Sequence, residues 1–196
     1  TIDNDMYGTD NTIGYDTALN TVVEAVDKIR DTAGSHNRLF FVEVMGRDAG
    51  LIALRSGIAS GAESILVPET TTYIERLLRQ IGERRQKQFG IIIVAEGDDA
   101  GGAHEVAKVV GDRFPHFDIR VSILGHIQRG GNPSCKDRVL ASRLGMAAVE
   151  SIRNGTFNVM VGEINDEVVH TPFEKAVKHH YELREDLLRM AEILGS

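Results

Sequence analysis

Four short apolar runs, LFFVEVMG (39–46), SILV (64–67), GIIIVAEG (90–97) and FDIRVSILG (117–125), are separated by stretches whose apolar residues recur at helical spacing. That alternation restricts the fold more than any other feature. Near-continuous apolar strands need cover on both faces, and strands joined through helices run parallel, so the pattern predicts an α/β architecture: a layered parallel sheet flanked by helices. Helices are expected over 12–32, where Ile13, Ala18, Leu19, Val22, Val23, Val26 and Ile29 share a face, and over 48–61, 73–88, 102–114 and 133–154. TFNVMVG (156–162) and EVVHT (167–171) read as two short strands, followed by a charged helix ending near Leu194.

A chain of 196 residues suffices for one full-sized domain or two small ones and buries roughly 70% of its extended surface. Its net charge of −7 argues against a nucleic-acid binder or an acidic-membrane binder, so an anionic ligand must be met by local basic clusters. Cys135 is the sole cysteine; it has no disulfide partner and no zinc-ligand spacing around it, and is expected to be a small packed residue in a reducing compartment. No apolar run approaches the length of a membrane span and no signal-like start is present, which predicts a cytoplasmic protein. His179 and His180 are expected on a solvated surface, and His104 and His116 stand without a constellation.

Ligands of open α/β sheets bind beyond the carboxyl ends of the strands. Three exits are therefore informative: Met45-Gly46-Arg47, Glu96-Gly97-Asp98, and the GHIQRGG run over 125–131. In the last, His126 and Arg129 sit between glycines, so backbone amides, an imidazole and a guanidinium can converge on one anion. A solvated glycine-rich turn explains the same residues equally well. MGRDAG repeats the grammar, ending in a helix start whose free amides favour anions. The opening TIDND carries two carboxylates, Asp3 and Asp5, that could accept a hydroxyl proton and hold a hydrated Mg²⁺; turn and N-cap roles are the plainer alternative.

TIDND, VEVMGR, AEG and GHIQRGGNP occur in an order and spacing that resembles the bacterial-type 6-phosphofructokinases, over essentially the whole chain. The resemblance implies phosphoryl transfer from MgATP to the 1-hydroxyl of fructose 6-phosphate, in glycolysis. Asp3 is implied as the base, with Arg47 offsetting charge on the moving phosphoryl group and Asp5 near the magnesium. Thr1, Ile2, Asp3, Met45, Gly46, Arg47, Glu96, His126, Ile127, Gln128 and Arg129 are implied as substrate-binding. Arg38 and Arg120 would reach the site of a neighbouring subunit in a homotetramer. For a nucleotide or other phosphorylated effector such as ADP, the implied residues are Arg30, Gly61, Ala62, Glu63, Arg84, Arg85 and Lys87. A basic helix end that complements the helix dipole accounts for the last three as well.

By the same resemblance, residues 1–14 are an active-site loop of the larger domain, 15–127 a smaller substrate- and effector-binding domain, and 128–196 a return to the larger domain. No stretch matches an ATP phosphate loop, so the chain is expected to be the C-terminal portion of such an enzyme. Two alternatives stand beside ATP-dependent catalysis: a pyrophosphate-dependent kinase, and a binding and assembly module inactive by itself.

Overall fold

The computed structural model describes residues 1–32, 38–72, 74–83, 89–179 and 183–195. Four parallel strands, β1 (Arg38–Val44), β2 (Ser64–Leu66), β3 (Phe89–Ala95) and β4 (Asp118–Ile123), form one sheet in the order β2-β3-β1-β4. Its register places Phe41 beside Ile92 and Val121. Although the runs are apolar throughout, successive side chains still leave opposite faces. Phe40, Val42, Val44, Ile91 and Ile93 meet helices α1 (Tyr15–Thr32), α2 (Leu51–Ala59) and α6 (Glu185–Gly195). Leu39, Phe41, Ile92 and Val94 meet α3 (Ile74–Gly82) and α4 (Ala103–Arg113). The expected sheet with helices on both faces is thus the observed one.

Helix α5 (Cys135–Arg153) leads to an antiparallel pair, β5 (Val159–Ile164) and β6 (Glu167–Pro172). Asn165 and Asp166 join them, both at positive φ, as a tight hairpin turn requires. The opening segment docks on β5: Asp10 donates its N–H to the Glu163 carbonyl at 2.7 Å, and Glu163 donates to Thr9 Oγ1 at 3.2 Å. Helix α5 leaves Val139, Met146, Val149 and Ile152 about 60% exposed.

Several boundaries depart from the sequence pattern for identifiable reasons. Helix α1 begins at Tyr15, because the buried Asp137 carboxylate accepts from the Gly14 and Thr17 amides, each at 2.8 Å, and from the Thr17 hydroxyl. Helix α2 starts only at Leu51, after a turn closed by the Ala49 N–H on the Gly46 carbonyl. Cys135 is exposed rather than packed: it opens α5 directly after the Ser134 N-cap, on the side away from the buried Asp137. No helix among the described residues is long and apolar enough to cross a membrane.

Candidate functional site

Parallel pairing brings the ends of β1, β3 and β4 to one edge, and with them the three predicted loops. At the β1 exit, Met45 is buried while Arg47 is exposed with φ of 51°. A left-handed conformation is strained for a residue with a Cβ, and persists where neighbours enforce it. Two neighbours do so. Glu96 Oε1 accepts the Arg47 N–H at 2.8 Å, and Gly97 packs so closely that a Cβ there would collide with the Arg47 carbonyl oxygen.

At the β4 exit, residues Gly125–Arg129 form a 3-10 helix rather than an open turn. Side chains three apart eclipse in that geometry, so His126 and Arg129 share a side; both are exposed, as is Ile127. Gln128 turns inward. Its side chain is 1% exposed and Oε1 accepts the Met45 N–H at 3.0 Å. Asp98, also buried, accepts from the Thr72 hydroxyl at 2.7 Å and the Ala100 N–H at 2.9 Å, and burial raises its carboxyl above the ordinary aspartate range.

The TIDND loop precedes α1, whose N-terminal part packs near the 3-10 helix: Ile2 lies against Gly14 and Thr21 against Gly131. Asp3 is half-buried, with Oδ2 accepting from the Thr1 hydroxyl at 2.9 Å. Asp5 is buried, and Lys178 Nζ lies 3.0 Å from its Oδ2. This partner comes from a segment near the other end of the chain and has no local sequence signal.

Arg38 and Arg120 do not join the other residues. Arg38 opens β1, about 20 Å of strand from the exits at ~3.3 Å per residue. Both guanidiniums converge on Asp118, with Arg38 Nε 3.0 Å from Oδ2 and Arg120 Nε 3.1 Å from Oδ1. Desolvation raises the Asp118 carboxyl, but its bonds from Arg120 and Arg38 together outweigh that and hold it low.

Of the predicted effector residues, Arg30 donates to the Ser60 carbonyl beside Gly61, so these two are neighbours. Ala62 is buried, and the Glu63 carboxylate is turned inward onto the Ile91 N–H. Arg84, Arg85 and Lys87 lie outside the described residues. A cavity of about 330 Å³ bounded by β2, α3 and α6 touches Glu63 but none of the three exits.

Arg47, His126 and Arg129 are thus exposed basic side chains on loops at one edge of the sheet, and Asp3 is a half-buried carboxylate on the loop before α1. Comparison with known proteins bears on that arrangement. The family model for phosphofructokinase matches residues 1–152. ATP-dependent 6-phosphofructokinase 2 of Bacteroides thetaiotaomicron is 55% identical across the whole chain, which covers 60% of that protein. ATP-dependent 6-phosphofructokinase 1 of Thermus thermophilus is 51% identical, again across the whole chain and 61% of its own length. The chain thus spans about 60% of the length of these curated relatives. Among solved structures, phosphofructokinase from Saccharomyces cerevisiae matches with a TM-score of 0.81 and 36% identity, over 90% of this chain and 25% of that one. The pyrophosphate-dependent phosphofructokinase from Marinobacter aquaeolei shares the fold, with a TM-score of 0.80 at 24% identity over 99% of this chain and 58% of that one.

Proposed function

The chain belongs to the phosphofructokinase family, and on that premise we propose that it is the sugar-phosphate-binding part of an ATP-dependent 6-phosphofructokinase, which converts fructose 6-phosphate to fructose 1,6-bisphosphate. The observation that carries this reading is the convergence of the loops bearing Arg47, Glu96, His126 and Arg129 at one edge of a parallel sheet, with the Asp3 loop leading into α1, which packs against the 3-10 helix. ATP is favoured as donor by identities of 55% and 51% to ATP-dependent relatives.

In this reading the sugar phosphate sits on the arginines and the histidine, and the 1-hydroxyl faces Asp3. Asp3 takes the hydroxyl proton as the oxygen forms its bond to the γ-phosphorus and ADP departs; Arg47 offsets negative charge on the transferring group. Glu96 keeps Oε2 for a sugar hydroxyl while Oε1 holds the Arg47 turn. Mg²⁺ would enter with ATP. The described residues do not themselves make a site for it: no three metal-ligating side chains cluster, and Asp5 has one oxygen on Lys178 and the other buried.

Arg38 at the start of β1 and Arg120 midway along β4 both turn to Asp118 rather than to the strand exits, which leaves them for a neighbouring copy's site within a homotetramer. The pairing of Arg30 with the Ser60–Gly61 turn supports an effector role there. The division into a loop over 1–14, a smaller domain over 15–127 and a returning segment over 128–196 belongs to the same proposal.

Replacing Asp3 by Ser in the full-length protein tests the mechanism. Turnover should fall by roughly 10²-fold or more, with fructose 6-phosphate binding largely retained. An unchanged rate refutes the role of Asp3.

A further inference from the structure

We propose that Gln128 is a positioning residue that fastens the His126–Arg129 helix to the Met45–Arg47 turn, so that the two anion-facing loops behave as one unit. The inference rests on the reading of these loops as the sugar-phosphate site, but it assigns Gln128 a different task from its neighbours. His126, Ile127 and Arg129 are exposed, whereas Gln128 is 1% exposed and out of a ligand's reach within the chain.

Strand β1 ends at Val44, so the next amide, that of the buried Met45, leaves the ladder and needs another acceptor. Gln128 Oε1 provides it at 3.0 Å, across 83 residues of sequence. The orientation of the amide is fixed by chemistry, since only its oxygen can accept from an N–H. That choice leaves Nε2 buried with no partner among the described residues. An unsatisfied buried donor weakens a fold, and an apolar residue of the same shape would avoid it. Its presence at this position is explained by what the oxygen holds. Glu96 grips the same turn one step later, through the Arg47 N–H. The turn is therefore anchored from the β3 exit by Glu96 and from the β4 exit by Gln128. Removing the second anchor frees the relative placement of Arg47 against His126 and Arg129.

The test compares Gln128→Met, which keeps volume and loses the acceptor, with Gln128→Glu, which keeps the acceptor, in the full-length protein. Gln128→Met should weaken fructose 6-phosphate binding about tenfold by calorimetry, the scale of one lost hydrogen bond with its ordering. Its thermal midpoint should move little, because removing the orphaned NH₂ offsets the acceptor lost by the buried Met45 amide; a merely structural role predicts a lower midpoint with affinity unchanged. Gln128→Glu keeps an acceptor but encloses a carboxyl that takes up a proton rather than stand uncompensated, so it should recover part of the affinity that Gln128→Met loses. Wild-type affinity in Gln128→Met, or equal weakness in both variants, overturns the proposal. Hydrogen exchange of the Met45 amide supplies an independent measure: slow exchange in the wild type supports the tie, and exchange as fast as in an unstructured chain overturns it. This readout stands even if the wild-type protein fails to bind fructose 6-phosphate, the result that would sink the functional reading instead.

Discussion

Lys178 and Asp5 form an ion pair at 3.0 Å that joins the opening loop to the segment after β6. The backbone follows suit: Met6 and Lys178 make an antiparallel bridge, and the His179 N–H donates to the Asp5 carbonyl at 2.7 Å. Asp5 is 7% exposed, whereas the Lys178 side chain is half-exposed. Lys178→Met would leave an enclosed carboxylate without its counter-ion, a loss of about 1–3 kcal/mol. Urea unfolding should show a lower midpoint, and adding Asp5→Asn should restore part of it. Equal midpoints for wild type and Lys178→Met would refute the coupling.

Gly97 is constrained by proximity rather than by its backbone angle. In Gly97→Ala the new Cβ meets the Arg47 carbonyl, so the turn must move. Overpacking of this kind costs about 1–3 kcal/mol. Anion binding should weaken along with stability, which calorimetry with fructose 6-phosphate and a thermal melt measure side by side. A variant less stable but unchanged in affinity would show that Arg47 keeps its place without Gly97.

Asp98 gives a pH signature. Its folded carboxyl is raised by burial, so the native state holds its proton more tightly than the unfolded chain does. That contribution favours the fold below the ordinary aspartate value, near 4, and is lost as pH rises through the raised one. Asp98→Asn should flatten the fall in stability over that window, measured as urea midpoints at stepped pH; parallel curves for variant and wild type would contradict it.

Asp137 caps α1 from the first turn of α5. Asp137→Ala removes acceptors from the Gly14 and Thr17 amides and the Thr17 hydroxyl, so a loss of about 2–4 kcal/mol is expected. Thermal melting checks it, with Asp137→Asn retaining part of the loss. Full stability in the alanine variant would remove the cap from this account.

The legible parts of the molecule are those governed by local pattern. Phe40, Val42 and Val44 separate from Leu39 and Phe41 by strand alternation, and the glycines at the β1 and β4 exits mark where the strands give way to loops. What local pattern misses is set by distant partners. The start of α1 depends on Asp137, the state of Asp5 on Lys178, and the inward turn of Glu63 on the Ile91 amide. Cys135 misleads because its helix position, not its size, decides exposure. Gln128 reads as one more polar residue of an exposed loop until the 3-10 geometry turns it toward Met45.

The left-handed Arg47 turn has a kinetic consequence. Since bonds within the chain already set its backbone, the anion of the proposed function would not wait for this turn to rearrange. Under that proposal, capture would be governed by diffusion against the repulsion of a chain of net charge −7, with the arginines acting as a short-range funnel. Added salt should change the association rate through both influences at once, screening the long-range repulsion first and the close attraction last.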